Sequence, residues 1–222
     1  MRMKKTLFLL ALCFVALSAA AQNVQFKIGG GFASHYGSSS QLVGAFKVGV
    51  GYEIEFNQHF TFTPTLSVYG KGWKDPNQRV FVYDDNHQQV FDESGNPRTS
   101  IKNRTTTANY VEIPLLFSYY LRTGESRYVV FSAGPYVACG ISGKQKTKGD
   151  AETTGSSKLY YEEKTFNEQG VHRFDAGVQA MVGYAFPSGV TLGLEADFGV
   201  AKFNADSDRN LSALISIGYR LR

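Results

Sequence analysis

The stretch LVGAFKVGVGYEIEF, residues 42–56, decides how the chain is read. Leu42, Gly44, Phe46, Val48, Val50, Tyr52, Ile54 and Phe56 share one side of an extended backbone. Val43, Ala45, Lys47, Gly49, Gly51, Glu53 and Glu55 share the other. Successive side chains of a strand point to opposite faces, so this spacing describes a strand with one apolar face and one face of glycine and charge. Seven further stretches repeat the pattern, at 24–32, 60–71, 111–122, 129–141, 173–186, 190–200 and 211–222, and none has a sustained helical period. Short connections at 57–59, 123–126 and 187–189 alternate with longer ones at 34–41, 74–107, 144–170 and 204–210. Short turns at one end and long loops at the other are the layout of barrels that cross an outer membrane. The expected fold is therefore all-β, an eight-stranded antiparallel up-and-down transmembrane β-barrel.

Eight alternating strands also describe a soluble calyx around a ligand, so the composition of the two faces has to choose. The outside of a soluble barrel would be dense in Lys, Glu, Gln and Asn. Here the polar face is instead rich in Gly, with Ser and Thr, which suits the cramped interior of an eight-strand barrel. Lys27, Lys47, Lys71, Arg122, Arg173, Arg220 and Arg222 share that face with Glu53, Glu55, Glu112, Asp175, Glu195 and Asp197. Seven cations against six anions suggest an internal ion-pair network, with Glu112 and either Arg173 or Arg122 as its most specific pair. The opposite face carries almost no charge, as lipid contact requires, because a Lys or Arg at mid-bilayer costs ~2–4 kcal/mol. On that face Phe56, Phe60, Phe62, Tyr119, Tyr184, Phe186 and Tyr219 flank the short turns, in the manner of an interfacial aromatic girdle.

The N-terminus reads as an address. Arg2, Lys4 and Lys5 precede an apolar run from Leu7 to Leu17, and Ala19 and Ala21 supply the small residues of a cleavage site before Gln22. Residues 1–21 are thus expected to be a secretory signal peptide, with the barrel domain at 22–222. Of the formal charge of +4, the signal accounts for three, which leaves 20 Lys+Arg against 19 Asp+Glu. No later segment clusters Lys/Arg among aromatics, which argues against nucleic acid as a partner. Cys139 is the one cysteine beyond the signal, so no intramolecular disulfide is expected. A mean hydropathy of −0.21 excludes a polytopic helical membrane protein.

Three motifs carry a family resemblance. NYVEIPLL at 109–116 resembles the mid-barrel motif of the PorT-like outer-membrane β-barrel proteins, a porin-family group widespread in Bacteroidota. FSAGPY at 131–136, and DAGV at 175–178 with Gly183-Tyr184, look like the strands that follow it. The resemblance covers the chain beyond residue 21 at the level of strand order. It implies an eight-stranded barrel placed by the outer-membrane insertion machinery, and it carries no catalytic residues. One departure is the ending: such barrels often finish on an aromatic, and this chain ends Tyr219-Arg-Leu-Arg222.

Candidate chemistry is thin. A Ser-His pair at the rim, built on His35 or His172, has no supporting spacing, and Asp206-Ser-Asp208-Arg-Asn210 lacks the Gly and Glu of a Ca²⁺ loop. Asp84-Asp85-Asn86-His87 is a weak cation candidate. Neither a cofactor nor a metal is expected. The reading is a monomeric integral outer-membrane barrel with a filled, charge-paired lumen and four extracellular loops, serving a structural or surface-recognition role rather than catalysis. A narrow porin-like pore and a soluble ligand-binding calyx are the alternatives. Expected partners are outer-membrane lipid, the insertion machinery and an extracellular ligand at loops 74–107 and 144–170, with Tyr83, Tyr160 and Tyr161 as contact candidates.

Overall fold

Alternating side chains become a closed wall in the computed structural model of the chain, which describes residues 23–36, 39–84, 86, 88–149, 159–167, 170–203 and 208–221. The strands are β1 (Val24–Tyr36), β2 (Val43–Tyr52), β3 (Ile54–Glu55), β4 (Phe60–Lys74), β5 (Gln78–Phe81) and β6 (Thr99–Gly124). They continue with β7 (Arg127–Gly149), β8 (Leu159–Lys164), β9 (Phe174–Ala185), β10 (Val190–Gly199) and β11 (Arg209–Arg220). All pairings between them are antiparallel. β1 pairs with β2 on one edge and β11 on the other, and β4 pairs with β6, so the ring β1-β2-β4-β6-β7-β9-β10-β11 closes. β3 continues the register of β2 on β4. Closure leaves no strand edge with unpaired N–H and C=O groups in hydrocarbon. No helix among the described residues is long and apolar enough to cross a membrane.

Both described ends of the chain lie at the turn end of the ring, where Gln25 faces Arg220 and Leu221 N–H donates to the Val24 carbonyl. The turns there have simple chemistry. Asn57 Oδ1 accepts N–H bonds from His59 and Phe60, and Gly189 takes a φ of 86° that only glycine adopts freely.

The other end departs from expectation. β6 has 26 residues and β7 has 23, against the ~9–11 a spanning strand needs. Much of the two long links expected at 74–107 and 144–170 is therefore strand: 102–107 pairs with 144–149, β5 adds to 99–102 of β6, and β8 adds to β7. The extension was not legible from periodicity because Thr105-Thr106-Thr107 and Lys144-Gln145-Lys146-Thr147-Lys148 are polar on both faces. A hairpin ladder needs only backbone groups to continue, and β-branched threonine favours it. A β-bulge marks the departure from the barrel: Tyr110 faces Gly140 and Asn109 faces Ser142, leaving Ile141 as the extra residue.

The large apolar side chains point outward, among them Phe46, Leu66, Phe117, Val182, Leu194 and Ile215. The aromatics expected to flank the turns lie on the same face, where Phe60 meets Tyr119 and Tyr184 meets Phe186, with ring centroids 5.0 and 4.9 Å apart. Cys139 is exposed there too. An inside-out burial pattern of this kind suits a barrel solvated by lipid and excludes the soluble calyx.

Candidate functional site

The interior is built in layers, and its centre is a belt of buried charge. Lys47 on β2 places Nζ 2.8 Å from Glu112 Oε1, 3.1 Å from Asp197 Oδ2 and 3.9 Å from Glu195 Oε2. Lys71 on β4 lies 3.0 Å from Glu112 Oε2 and 3.0 Å from Asp175 Oδ2. Lys27 on β1 reaches Glu195 Oε1 at 3.0 Å. Glu112 is thus the bridge between two lysines on neighbouring strands, and a carboxylate with two oxygens can hold both. Tyrosine rings complete the packing: Lys47 Nζ sits 4.3 Å from the Tyr69 ring centre, and Lys71 Nζ sits 4.5 Å from that of Tyr136. Tyr136 donates to Asp175, Gln179 donates to Glu195, and Tyr69 donates to Ser212.

Towards the turn end the filling is smaller. Thr63, Thr65, Ser118 and Ser132 line a cavity of about 20 Å³ together with Lys27, room for roughly one water. Below it Glu53 accepts from Tyr120 and Arg220, and Arg220 also reaches Glu55 at 3.2 Å, at the edge of an open mouth of about 400 Å³.

Two sequence expectations are corrected here. Neither Arg122 nor Arg173 meets Glu112. Arg122 lies ten residues along the same strand, roughly 34 Å away in an extended chain, and its Nε donates to the Gly124 carbonyl at the turn end. Arg173 sits at the opposite end, where its guanidinium donates to the Gly140 carbonyl at 2.9 Å and covers the Phe166 ring. The expected balance of seven cations and six anions also fails. Among the described residues Lys27, Lys47, Lys71 and Arg220 contact Glu53, Glu55, Glu112, Asp175, Glu195 and Asp197, and Arg222 lies outside the described residues. Alternation places a side chain on a face; the level it occupies depends on strand stagger, which alternation does not encode.

Above the charge belt is an aromatic plug the sequence reading missed. His35 stacks on Trp73 with centroids 3.6 Å apart, Trp73 meets Phe203 edge-on at 4.5 Å, and Phe166 approaches both Phe203 and Tyr110. A lone Trp at the end of a strand was the available signal. Both nitrogens of His35 face other partners, with Nε2 3.2 Å from Asn210 Oδ1 and Nδ1 3.8 Å from Asp208. His35 is thus a packed, hydrogen-bonded ring, and no serine among the described residues completes a nucleophile pair with it. No group of three or more His, Cys, Asp or Glu suited to a metal occurs among the described residues. Asp206, Asp85 and His87, parts of the weak cation candidates, lie outside the described residues, as do Ala19, Ala21 and Gln22 of the expected cleavage site.

At the loop end, Asp84 and Asp92 each anchor a turn. Asp84 Oδ1 accepts from the N–H groups of Asn86 and Gln88, and Asp92 Oδ1 from those of Ser94 and Asn96. The Asn96 and Ser94 amides hold the Asp92 carboxyl below the usual carboxylate range. Tyr83 bridges to Gln89 and is exposed. Tyr160 and Tyr161 pair through their backbones with Lys148 and Thr147 on β8's partner strand.

An inside-out wall of eight closed antiparallel strands around a filled polar interior defines an outer-membrane β-barrel. The family pattern of the outer membrane protein beta-barrel domain matches residues 16–204, and the chain belongs to that family. No curated protein matches it in sequence. Among solved structures it is similar to Ail, the attachment invasion locus protein of Yersinia pestis, at 11% identity and a TM-score of 0.37, with 90% of this chain and 99% of Ail covered. It is also similar to Neisserial surface protein A, at 10% identity and a TM-score of 0.41, with 89% and 97% covered.

Proposed function

We propose that this protein is a monomeric surface barrel of the PorT-like kind, exported by residues 1–21, cleaved before Gln22 and placed in the outer membrane by the insertion machinery. Its turns face the periplasm and its long hairpins face outward, following the usual asymmetry of such barrels. The role is structural or one of surface recognition rather than catalysis or conduction. The observation that carries this reading is the pairing of a lumen filled by the Lys47–Glu112–Lys71 belt and the Trp73 plug with a β5-β6-β7-β8 extension beyond it. A barrel of eight strands is just wide enough for side chains to fill, so the distinctive surface lies outside it. Recognition then belongs to the extension, with Tyr83, Tyr160 and Tyr161 as contacts.

Two measurements test the reading. Purified barrel in a planar bilayer should give no steady single-channel conductance; a reproducible open level would overturn the filled lumen. Replacing 75–98 and 150–158 by short Gly-Ser linkers, together with Y160S and Y161S, should leave the barrel folded and abolish adhesion of intact cells to immobilised glycans and matrix proteins. Adhesion unchanged by both replacements would refute the assignment to the loops.

A further inference from the structure

Beside the bulge at Ile141 a pocket lies in the wall, between exposed side chains of β6 and β7 and the Phe166 ring of the plug. There β8 has peeled away to pair only with the upper part of β7, and β9 begins its ladder lower down, at Cys139↔Phe174. The gap between them holds a pocket of about 370 Å³, within the range of small-ligand sites. Its charged lining is wholly basic: Lys144, Lys164 and Arg173. Asn109 and Ser142, hydrogen-bonded to each other at 3.0 Å, and Asn167 supply neutral polar groups.

The charges are not all spoken for. Lys144 pairs with Glu162 at 2.6 Å, and Glu162 is also 3.6 Å from Lys146. Lys164 and Arg173 have no carboxylate partner among the described residues. Arg173 is nevertheless held in place, by its bond to the Gly140 carbonyl and by the Phe166 ring 5.0 Å below its guanidinium carbon. A guanidinium fixed in this way retains unused donors suited to phosphate oxygens.

Position identifies the ligand. Ile141, at the pocket's edge, and Phe174, at the start of β9, are exposed members of the lipid-facing apolar set. Above the pocket, Lys146 and Lys148 alternate onto the same exposed face of β7. The pocket therefore opens where hydrocarbon gives way to polar surface, the level at which an amphiphile carries its phosphates. We propose that Lys164, Arg173 and Lys144 form a seat for the phosphorylated head group of an outer-leaflet lipid, whose acyl chains lie along the Ile141–Phe174 wall. Basic pockets at membrane boundaries bind anionic head groups by this chemistry. The inference rests on the membrane placement of the barrel and is independent of what the loops recognise.

The test uses the full-length barrel in detergent, with native mass spectrometry reading retention of three probes: lipid A bearing two phosphates, the same lipid dephosphorylated, and inorganic phosphate. Wild-type protein should retain the phosphorylated lipid about tenfold better than the dephosphorylated one, and K164Q/R173Q should lose about that factor. The paired control K146Q/K148Q, on the same face but outside the pocket, should change retention little. Undiminished retention by K164Q/R173Q would overturn the seat. So would an equal loss in the control, which would indicate diffuse charge, or inorganic phosphate binding as tightly as the lipid. Heat-modifiable migration reports folding of each variant, and K164E alone should reproduce the loss if the double variant fails to fold.

Discussion

Lys47 and Lys144 both sit on strands with carboxylates at hand, and the more exposed pair is the shorter one. Lys144 lies 2.6 Å from Glu162 with 61% of its side chain exposed; Lys47 lies 2.8 Å from Glu112 with 2% exposed. Distance would rank the rim pair first, yet burial reverses the order. In water a close ion pair contributes ~0–1 kcal/mol, because solvent competes for both partners and side-chain entropy is lost. In the lumen each charge has given up its hydration, so removing one partner leaves buried charge with less compensation that water cannot make good. The central belt is thus where the barrel is least tolerant of change, and the rim is where it can vary and bind.

The comparison can be broken most directly at Glu112. E112Q removes the carboxylate that Lys47 and Lys71 share and should cost about 3–5 kcal/mol, read as a lower urea midpoint for the detergent-folded barrel. A loss below about 1 kcal/mol would erase the distinction between lumen and rim. The steric side of the same belt is tested by G177A. A Cβ there would meet the Phe198 carbonyl and come within 2.7 Å of the Tyr136 ring, which bonds Asp175, so a cost of about 1–3 kcal/mol is expected in the same unfolding measurement. At the rim, E162Q should change stability by less than about 1 kcal/mol, and that difference should vanish at high salt.

The smallest effect concerns the loop. The Asp92 carboxyl is held below its ordinary value by the Asn96 and Ser94 amides. Its contribution to the 92–96 turn is therefore present above the unfolded carboxylate pKa, near 3.9, and is lost as pH falls through the lower folded value. The amide signals of Ser94 and Asn96 should titrate together with a midpoint below that of a free aspartate, and D92N should remove the titration. A midpoint at the free value would mean that the two bonds do not hold the carboxyl.

Much of the wall was legible because its code is local. Phe46, Val48 and Val50 face lipid, and Lys47 and Gly49 face inward, for a reason contained in five consecutive residues. Glu112 was legible as a lumen charge by the same rule, but its partners were not. Arg122 shares its strand and its face, yet lies at another height; Lys71 and Lys47 come from β4 and β2 and reach it only through register. The aromatic plug was hidden for a related reason: His35, Trp73, Tyr110, Phe166 and Phe203 belong to five separate segments. The hairpin extension was hidden because a strand with polar residues on both faces shows no apolar alternation, although Thr106, Gln145 and Thr147 are buried.

The sequence by itself determined that this is an inside-out β-barrel, because side-chain alternation and the ban on charge in hydrocarbon act residue by residue. Tertiary structure decided which charges meet, what closes the lumen and where a basic pocket opens. Those outcomes depend on strand stagger and on one bulge, which set height around the ring and leave almost no mark on any single strand.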